Sequence, residues 1–243
     1  MLLFIIVFLF LVSNTVFSQE RNYDIDTIQI KSEILKENRN IIIFKPLHFL
    51  KTDSVKFLYI LDGETSNYKF QILKEHFRDT ILNIVGIGII NTDRRRDLLY
   101  INAANKFLDF ITSELIPLVE MDSKVKTRIL YGHSFAAAFA TYSMINKPNY
   151  FDCYIASSPT PIMALIKKNN FEKIDSLSKA KIQFFFSYGS KDMRQVRKWS
   201  QKLRNNLSAI RFTKLDWRFQ IFEGRNHNNS DIPALIQAVS QMN

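Results

Sequence analysis

Three residues of different types, far apart along the chain, could together perform catalysis: Ser134, Asp192 and His227. A serine hydroxyl becomes an effective nucleophile when an imidazole removes its proton during attack. The imidazole in turn needs a carboxylate that fixes its tautomer and stabilises its charged form. These residue types therefore predict acyl-transfer chemistry, provided that the fold brings them together.

The surroundings of Ser134 are typical of a nucleophile elbow, a sharp turn between a strand and a helix. The apolar residues 128–131 predict the strand, and the alanines after the serine predict the helix. The turn crowds the positions two before and two after the serine, which are Gly132 and Ala136. The motif alone also fits a glycine turn whose serine caps a helix, so the rest of the chain must decide.

Strands and helices alternate along most of the chain, which predicts an α/β fold. Apolar patterns predict strands at residues 27–34, 40–46, 55–61, 81–90, 128–131, 150–157, 181–187 and 215–222. They predict helices at residues 68–77, 101–115, 162–177 and 232–242, another directly after Ser134 and one around 193–207. The early strands follow one another without helices. We therefore expect a mostly parallel central sheet with an antiparallel N-terminal edge and helices on both faces.

The carboxyl ends of strands are where open α/β sheets bind ligands, and each of the three residues follows such an end. Their order along the chain, Ser, Asp, His, is that of the α/β hydrolases. Asp192 competes as the acid with Asp175, Asp216 and Glu223, and it could instead cap the next helix. Asp216 lies at the N-terminal end of its strand and Asp175 precedes one, which favours Asp192. His227 could also be an ordinary loop histidine.

An acyl-transfer site also needs N–H donors for the oxyanion, each contributing roughly 2.7–4 kcal/mol to lowering the barrier. We expect one donor to be the backbone N–H of Phe135, directly after the serine. The second should come from Gly63 or Glu64, in the loop after the strand at residues 55–61.

The net charge is +10, which could indicate nucleic acid, an anionic membrane surface or acidic substrates as partners. The basic residues are scattered, however, with one tight run at residues 94–96, and the sequence has no zinc-ligand spacing, RNA-binding aromatic signature or helix-turn-helix pattern. We expect no nucleic-acid partner, no metal and no other cofactor. Cys153, the only cysteine, lies in an apolar stretch and predicts a buried thiol.

Residues 1–18 predict a signal peptide, because an apolar run at residues 2–12 is followed by polar residues and a small residue, Ser18. The run is shorter than the roughly 20 residues of a spanning helix. We expect residues 19–243 to form a single exported domain, periplasmic or secreted, without a stable membrane partner after cleavage. No basic residue precedes the run, so an uncleaved N-terminal anchor is the alternative.

Several motifs in a fixed order resemble the esterase-D-like family of α/β hydrolases, which includes ferric-enterobactin-type, feruloyl and acetyl-xylan esterases and S-formylglutathione hydrolases. The motifs are FLYILDG (57–63), VGI (85–87), NTDRRRD (91–97), FITSELIP (110–117), GHSF (132–135), ASSP (156–159), YG (188–189) and NHN (226–228). The resemblance implies Ser134 as nucleophile, His227 as base and Asp192 as acid. The chain departs from the family pattern at Ala136 and Ala137, where paired glycines are usual.

The resemblance also places a substrate-side loop at residues 91–97. There Arg94 or Arg96 would hold an anionic acid group, although a solvated charge run is the alternative. His133 would be a wall residue of the substrate pocket. We therefore expect an exported serine esterase that acts through an acyl-enzyme on Ser134, with a small-molecule or glycan-linked ester as substrate. Transfer of the acyl group to another acceptor is a variant. The alternative function, favoured by the two alanines, is a weak or inactive binding protein for a siderophore or glycan.

Overall fold

The computed structural model describes residues 23–47, 54–77, 84–121, 123–162 and 171–241. The predicted signal peptide lies outside these residues, as does half of the helix predicted at 162–177, namely residues 163–170. No helix within the described ranges has the length and apolar character needed to cross a membrane.

Eight strands form one sheet, and helices connect most of them. The strands are β1 (Tyr23–Ser32), β2 (Glu37–Pro46), β3 (Ser54–Leu61), β4 (Ile84–Ile89), β5 (Lys124–His133), β6 (Cys153–Ser157), β7 (Ile182–Gly189) and β8 (Leu215–Phe222). The helices are α1 (Ser66–Phe77), α2 (Arg94–Leu99), α3 (Ile101–Phe110), α4 (Ile116–Val119), α5 (Phe135–Asn146), α6 (Ile174–Leu177), α7 (Arg194–Ser208) and α8 (Asp231–Ser240).

The strand order is β1-β2-β4-β3-β5-β6-β7-β8. Strands β3 to β8 are parallel to one another, whereas β2 is antiparallel to both β1 and β4. The predicted fold class, with its antiparallel N-terminal edge, is confirmed. The carboxyl ends of β3, β5, β6, β7 and β8 consequently meet at one edge of the sheet.

Side chains alternate between the two faces of each strand, and both faces are buried. In β3, Phe57 and Tyr59 belong to the buried cluster that includes residues of α3, α5 and α7, whereas Leu58 and Ile60 belong to the cluster that includes residues of α1 and α8. The thiol of Cys153 is buried in β6, as predicted, and burial raises its pKa well above the usual value. Helices therefore cover both faces of the sheet.

The structure differs from the sequence-based prediction around residues 91–119. Helix α2 was not predicted; it begins after Asp93, whose carboxylate accepts a hydrogen bond from the backbone N–H of Arg96 at 3.0 Å. The helix predicted at 101–115 does not stop near Pro117. It continues through a π-helical turn at Ile111–Leu115 into α4, because proline is tolerated in the first turn of a helix.

Candidate active site

Ser134 lies in a strained turn between β5 and α5. Its backbone has φ 60° and ψ −116°, a conformation that costs a non-glycine residue about 1–3 kcal/mol. A Cβ at Gly132 would lie 2.3 Å from the carbonyl oxygen of Ala136, so the turn requires glycine there. Ala136 itself is fully buried within the turn. Alanine at the second small position is therefore compatible with the elbow.

The hydroxyl of Ser134 lies 3.0 Å from Nε2 of His227. Nδ1 of His227 lies 2.9 Å from Oδ1 of Asp192. A carboxylate can only accept, so Nδ1 carries the proton and the neutral ring presents Nε2 as an acceptor for the serine hydroxyl. The structure thus brings together the three residues that the sequence singled out, after β5, β7 and β8.

The carboxylate of Asp192 is held by three donors. Besides His227, the backbone N–H of Met193 donates to Oδ1 at 2.8 Å, and the hydroxyl of Ser158 donates to Oδ2 at 2.6 Å. Burial opposes ionisation, but the hydrogen bonds from His227 and Ser158 outweigh it and hold the pKa of Asp192 below its usual value. Asp192 is consequently a carboxylate at neutral pH.

Ser158 and Ser230 extend this network behind Asp192, and sequence reasoning gave neither of them a role. Ser158 has φ 51°, and its Oγ lies 2.9 Å from Oγ of Ser230. Because Ser158 donates to the carboxylate, it accepts from Ser230. Both serines are fully buried. Ser158 lies in the ASSP motif, but nothing in that motif indicates its partner.

Thr160 is a second residue that the sequence did not indicate. Its Oγ1 lies 3.2 Å from Oγ of Ser134, and its backbone N–H donates to the carbonyl of Ser134 at 3.3 Å. Residues after β6 thus contact the serine as well as the acid.

His133 lies beside His227, with 4.8 Å between the ring centroids. Its Nδ1 is 3.3 Å from Oγ of Ser157. Burial lowers the pKa of His133 to about 4; the negative charge of Asp231 opposes this shift, and the positive charge of Lys69 adds to it. The ring is therefore neutral near pH 7. The predicted substrate contact of His133 stays a prediction.

The predicted oxyanion donors lie at the same sheet edge as the elbow, because β3 and β5 are adjacent parallel strands. Phe135 is the first residue of α5, so its N–H has no acceptor within the helix. Gly63 begins a short 3₁₀ helix, Gly63–Thr65, that packs against the end of β4. A Cβ at Gly63 would lie 2.5 Å from the carbonyl carbon of Ile89, so this close approach requires glycine.

The two arginines predicted to bind substrate have different surroundings. Arg94 makes two 2.7 Å hydrogen bonds to Asp62, and its guanidinium carbon lies 5.0 Å from the ring centroid of Phe135. Arg96 donates to Glu37 at 2.6 and 2.9 Å and to Asp97 at 2.9 Å. Arg94 thus lies beside the elbow, whereas these contacts direct Arg96 towards β2. Substrate binding by either arginine stays a prediction.

No group of three or more histidine, cysteine or acidic side chains that could hold a metal ion occurs in the part of the chain that the structure describes.

The fold and the arrangement of residues after β5, β7 and β8 define an α/β hydrolase. A family model described as "Putative esterase" matches residues 32–212. The chain therefore belongs to this esterase family.

Two curated relatives match part of the chain. The siderophore triacetylfusarinine C esterase of Aspergillus fumigatus is 27% identical over 147 residues, which are 57% of this chain and 48% of the relative. The ferri-bacillibactin esterase BesA of Bacillus subtilis is 25% identical over 143 residues, which are 55% of this chain and 49% of the relative. The aligned part thus spans about half the length of each relative.

Solved structures share the fold at lower identity. The IroE-like serine hydrolase of Shewanella oneidensis has a TM-score of 0.80 at 19% identity, covering 90% of this chain and 80% of that one. The siderophore hydrolase EstB of Aspergillus nidulans has a TM-score of 0.74 at 21% identity, covering 89% of this chain and 94% of that one. Both similarities extend over nearly the whole chain.

Proposed function

We propose that this protein is a serine carboxylic-ester hydrolase that acts through an acyl-enzyme on Ser134. The observation that carries the proposal is the continuous hydrogen-bonded path from Oγ of Ser134 through His227 to Asp192, with distances of 3.0 and 2.9 Å. Both distances lie in the range in which proton transfer between nucleophile and base occurs.

In the first half-reaction, Oγ of Ser134 forms a bond to the ester carbonyl carbon while Nε2 of His227 takes the hydroxyl proton. The negative charge of Asp192 stabilises the imidazolium that results. The N–H groups of Phe135 and of Gly63 or Glu64 donate hydrogen bonds to the carbonyl oxygen and stabilise its developing negative charge. When the carbonyl reforms, the ester C–O bond breaks and His227 gives its proton to the departing alcohol.

In the second half-reaction, water takes the place of the alcohol. His227 removes a proton from the water, whose oxygen attacks the acyl carbon, and the released proton returns to Ser134 as the acid departs. An acceptor alcohol in place of water would give acyl transfer by the same steps. The neutral state of His133 favours this cycle, because a charged neighbour would oppose protonation of His227.

For the substrate we propose a small-molecule ester, and within that class a siderophore ester. This step is supported by the curated relatives, which are siderophore esterases of a fungus and a bacterium. Export to the periplasm or medium after removal of residues 1–18 is part of the proposal, and mass spectrometry of the exported protein should then find a chain that begins at Gln19.

The test uses p-nitrophenyl acetate and a fluorophosphonate probe with the purified mature protein. We expect turnover and labelling by the wild type, and loss of both in Ser134→Ala. Ser176→Ala, which removes an exposed serine hydroxyl on α6, is the matched control and should behave as the wild type. Equal turnover by wild type and Ser134→Ala would refute the proposal. A folded protein that neither turns over esters nor reacts with the probe would be a binding module.

A further inference from the structure

Gly63 lies between two acidic residues, Asp62 and Glu64. Both carboxylates accept hydrogen bonds from residues of the segment 91–94. Asp62 has a left-handed backbone with φ 56°, an uncommon conformation for a residue other than glycine. Arg94 donates from Nε to Oδ1 and from Nη2 to Oδ2 of Asp62, both at 2.7 Å. Asn91 adds a third bond, from Nδ2 to Oδ1 at 2.8 Å.

Glu64, on the other side of Gly63, accepts hydrogen bonds from Asn91. The backbone N–H of Asn91 donates to Oε1 of Glu64 at 2.9 Å, and its Nδ2 lies 3.2 Å from Oε2. Gly63 has no side chain, and its close approach to β4 excludes one. The hydroxyl of Ser66 donates to the carbonyl of Gly63 at 2.6 Å, and the residues that hold Asp62 and Glu64 further constrain the peptide groups on either side of Gly63.

The guanidinium of Arg94 also contacts the side chain of Phe135, the residue whose backbone N–H is the other candidate donor. Its central carbon lies 5.0 Å from the ring centroid of Phe135, the residue directly after Ser134. A guanidinium stacked on an aromatic face is held in a defined plane. One side chain thus contacts both Asp62, which precedes Gly63, and Phe135.

We propose that Arg94 and Asn91 are positioning residues that fix the oxyanion-binding N–H groups, with Arg94 joining Asp62 to Phe135. This inference rests on the proposed esterase function. It gives Arg94 a different role from the substrate anchor predicted from the sequence. Because the Asp62 carboxylate already takes two of its hydrogen bonds and neutralises its charge, an anionic substrate would meet an ion pair and not a free cation.

The two roles predict different kinetics for Arg94→Gln. Loss of one oxyanion donor lowers kcat by roughly 10²–10³-fold, and misplacement of a reacting group by about 1 Å costs up to about 10²-fold. We therefore expect kcat to fall about 10- to 100-fold for neutral p-nitrophenyl acetate and equally for mono-p-nitrophenyl succinate, with KM changed less than about twofold. An anchor would instead raise KM for the succinate ester alone, and that result would overturn the proposal.

Arg128→Gln is the matched control. Arg128 makes the same kind of bidentate pair, with Glu120, and its side chain is 31% exposed, against 37% for Arg94. Arg128 lies in the middle of β5, six residues before Ser134, so Arg128→Gln should lower the thermal midpoint without changing kcat. Arg94→Lys keeps the charge but not the bidentate geometry, and it should show the same loss of kcat as Arg94→Gln.

Asp62→Asn completes the test, because it removes the partner of Arg94. If the pair acts through the loop, the double variant Arg94→Gln/Asp62→Asn should lose no more kcat than either single variant. Additive losses would contradict the positioning role. Ser134→Ala separates the two proposals: if it is inactive while Arg94→Gln retains wild-type kcat, only the positioning role fails, whereas an active Ser134→Ala refutes the esterase itself.

Discussion

Replacement of Ser158 by alanine tests the network behind the candidate acid. The side chain is fully buried, and its hydroxyl donates to Oδ2 of Asp192 at 2.6 Å while it accepts from Ser230. Alanine would leave that carboxylate oxygen without this donor. A hydrogen bond to a charged group contributes about 1.5–3 kcal/mol. We therefore expect the free energy of unfolding at pH 7 to fall by about 2 kcal/mol, which lowers the thermal midpoint by roughly 4–8 °C in a domain of this size.

The dependence on pH identifies the bond as one to a carboxylate. The pKa of Asp192 is lowered in the folded protein, so its stabilising contribution is present above the unfolded pKa of about 3.9 and is lost as the pH falls through the folded pKa. Removing the donor Ser158 raises the folded pKa towards the unfolded value. The deficit of Ser158→Ala relative to the wild type should accordingly be full at pH 7 and shrink below about pH 4.

Urea unfolding followed by circular dichroism at pH 7, 5, 4 and 3.5 measures this deficit. Ser187→Ala is the control, because Ser187 is a fully buried serine whose Oγ has no hydrogen-bond partner among the described residues. Its stability should change by less than about 0.5 kcal/mol at every pH. A deficit for Ser158→Ala that stays constant from pH 7 to pH 3.5, or no deficit at all, would refute the reasoning.

Two further predictions concern residues next to the serine. Gly132→Ala places a methyl group 2.3 Å from the carbonyl oxygen of Ala136, so we expect an inactive protein or one that fails to fold. The control variant Ala136→Gly should keep its activity. A fully active Gly132→Ala would contradict the elbow geometry. His133 has a folded pKa of about 4 against 6.5 unfolded, so stability should rise with pH between these values, and His133→Asn should flatten that rise by on the order of 1–3 kcal/mol in urea titrations. An unchanged slope would show that another group is responsible.

The sheet and the three candidate residues were predictable for the same physical reason. A buried parallel strand needs a continuous apolar run, and such runs are visible at β3, β5 and β7. Because parallel strands end at one edge, residues that follow different strands converge there whatever their separation in sequence. Ser134, Asp192 and His227 meet in the structure for this reason.

The partners of polar side chains were not predictable from local sequence. Helix α2 has three arginines in six residues and lacks an apolar period, so its only local signal is the cap at Asp93. The charges of Arg94 and Arg96 suggested binding of an anionic substrate group. In the structure, Arg94 pairs with Asp62, which follows β3, and Arg96 pairs with Glu37 of β2. An arginine in a sequence is therefore weak support for an anion-binding site until the fold shows whether a carboxylate of the same chain pairs with it.

The distribution of backbone strain is independent support for a functional edge. Four non-glycine residues in the described ranges have positive φ: Lys36, Asp62, Ser134 and Ser158. Lys36 lies in the tight turn between β1 and β2, where a left-handed residue is common. The other three follow β3, β5 and β6, which are neighbours in the sheet, so the strain is concentrated at one edge.

Hydrogen bonds to each of these three residues offset the energetic cost of its backbone conformation. Asp62 is bound by Arg94 and Asn91, and Ser158 by its bonds to Asp192 and Ser230. Ser134 donates its N–H to the carbonyl of Ser157 at 2.9 Å. A fold under selection for stability alone would relax such residues at about 1–3 kcal/mol each, so their retention next to the candidate nucleophile favours chemistry at this edge over a structural role for its serine.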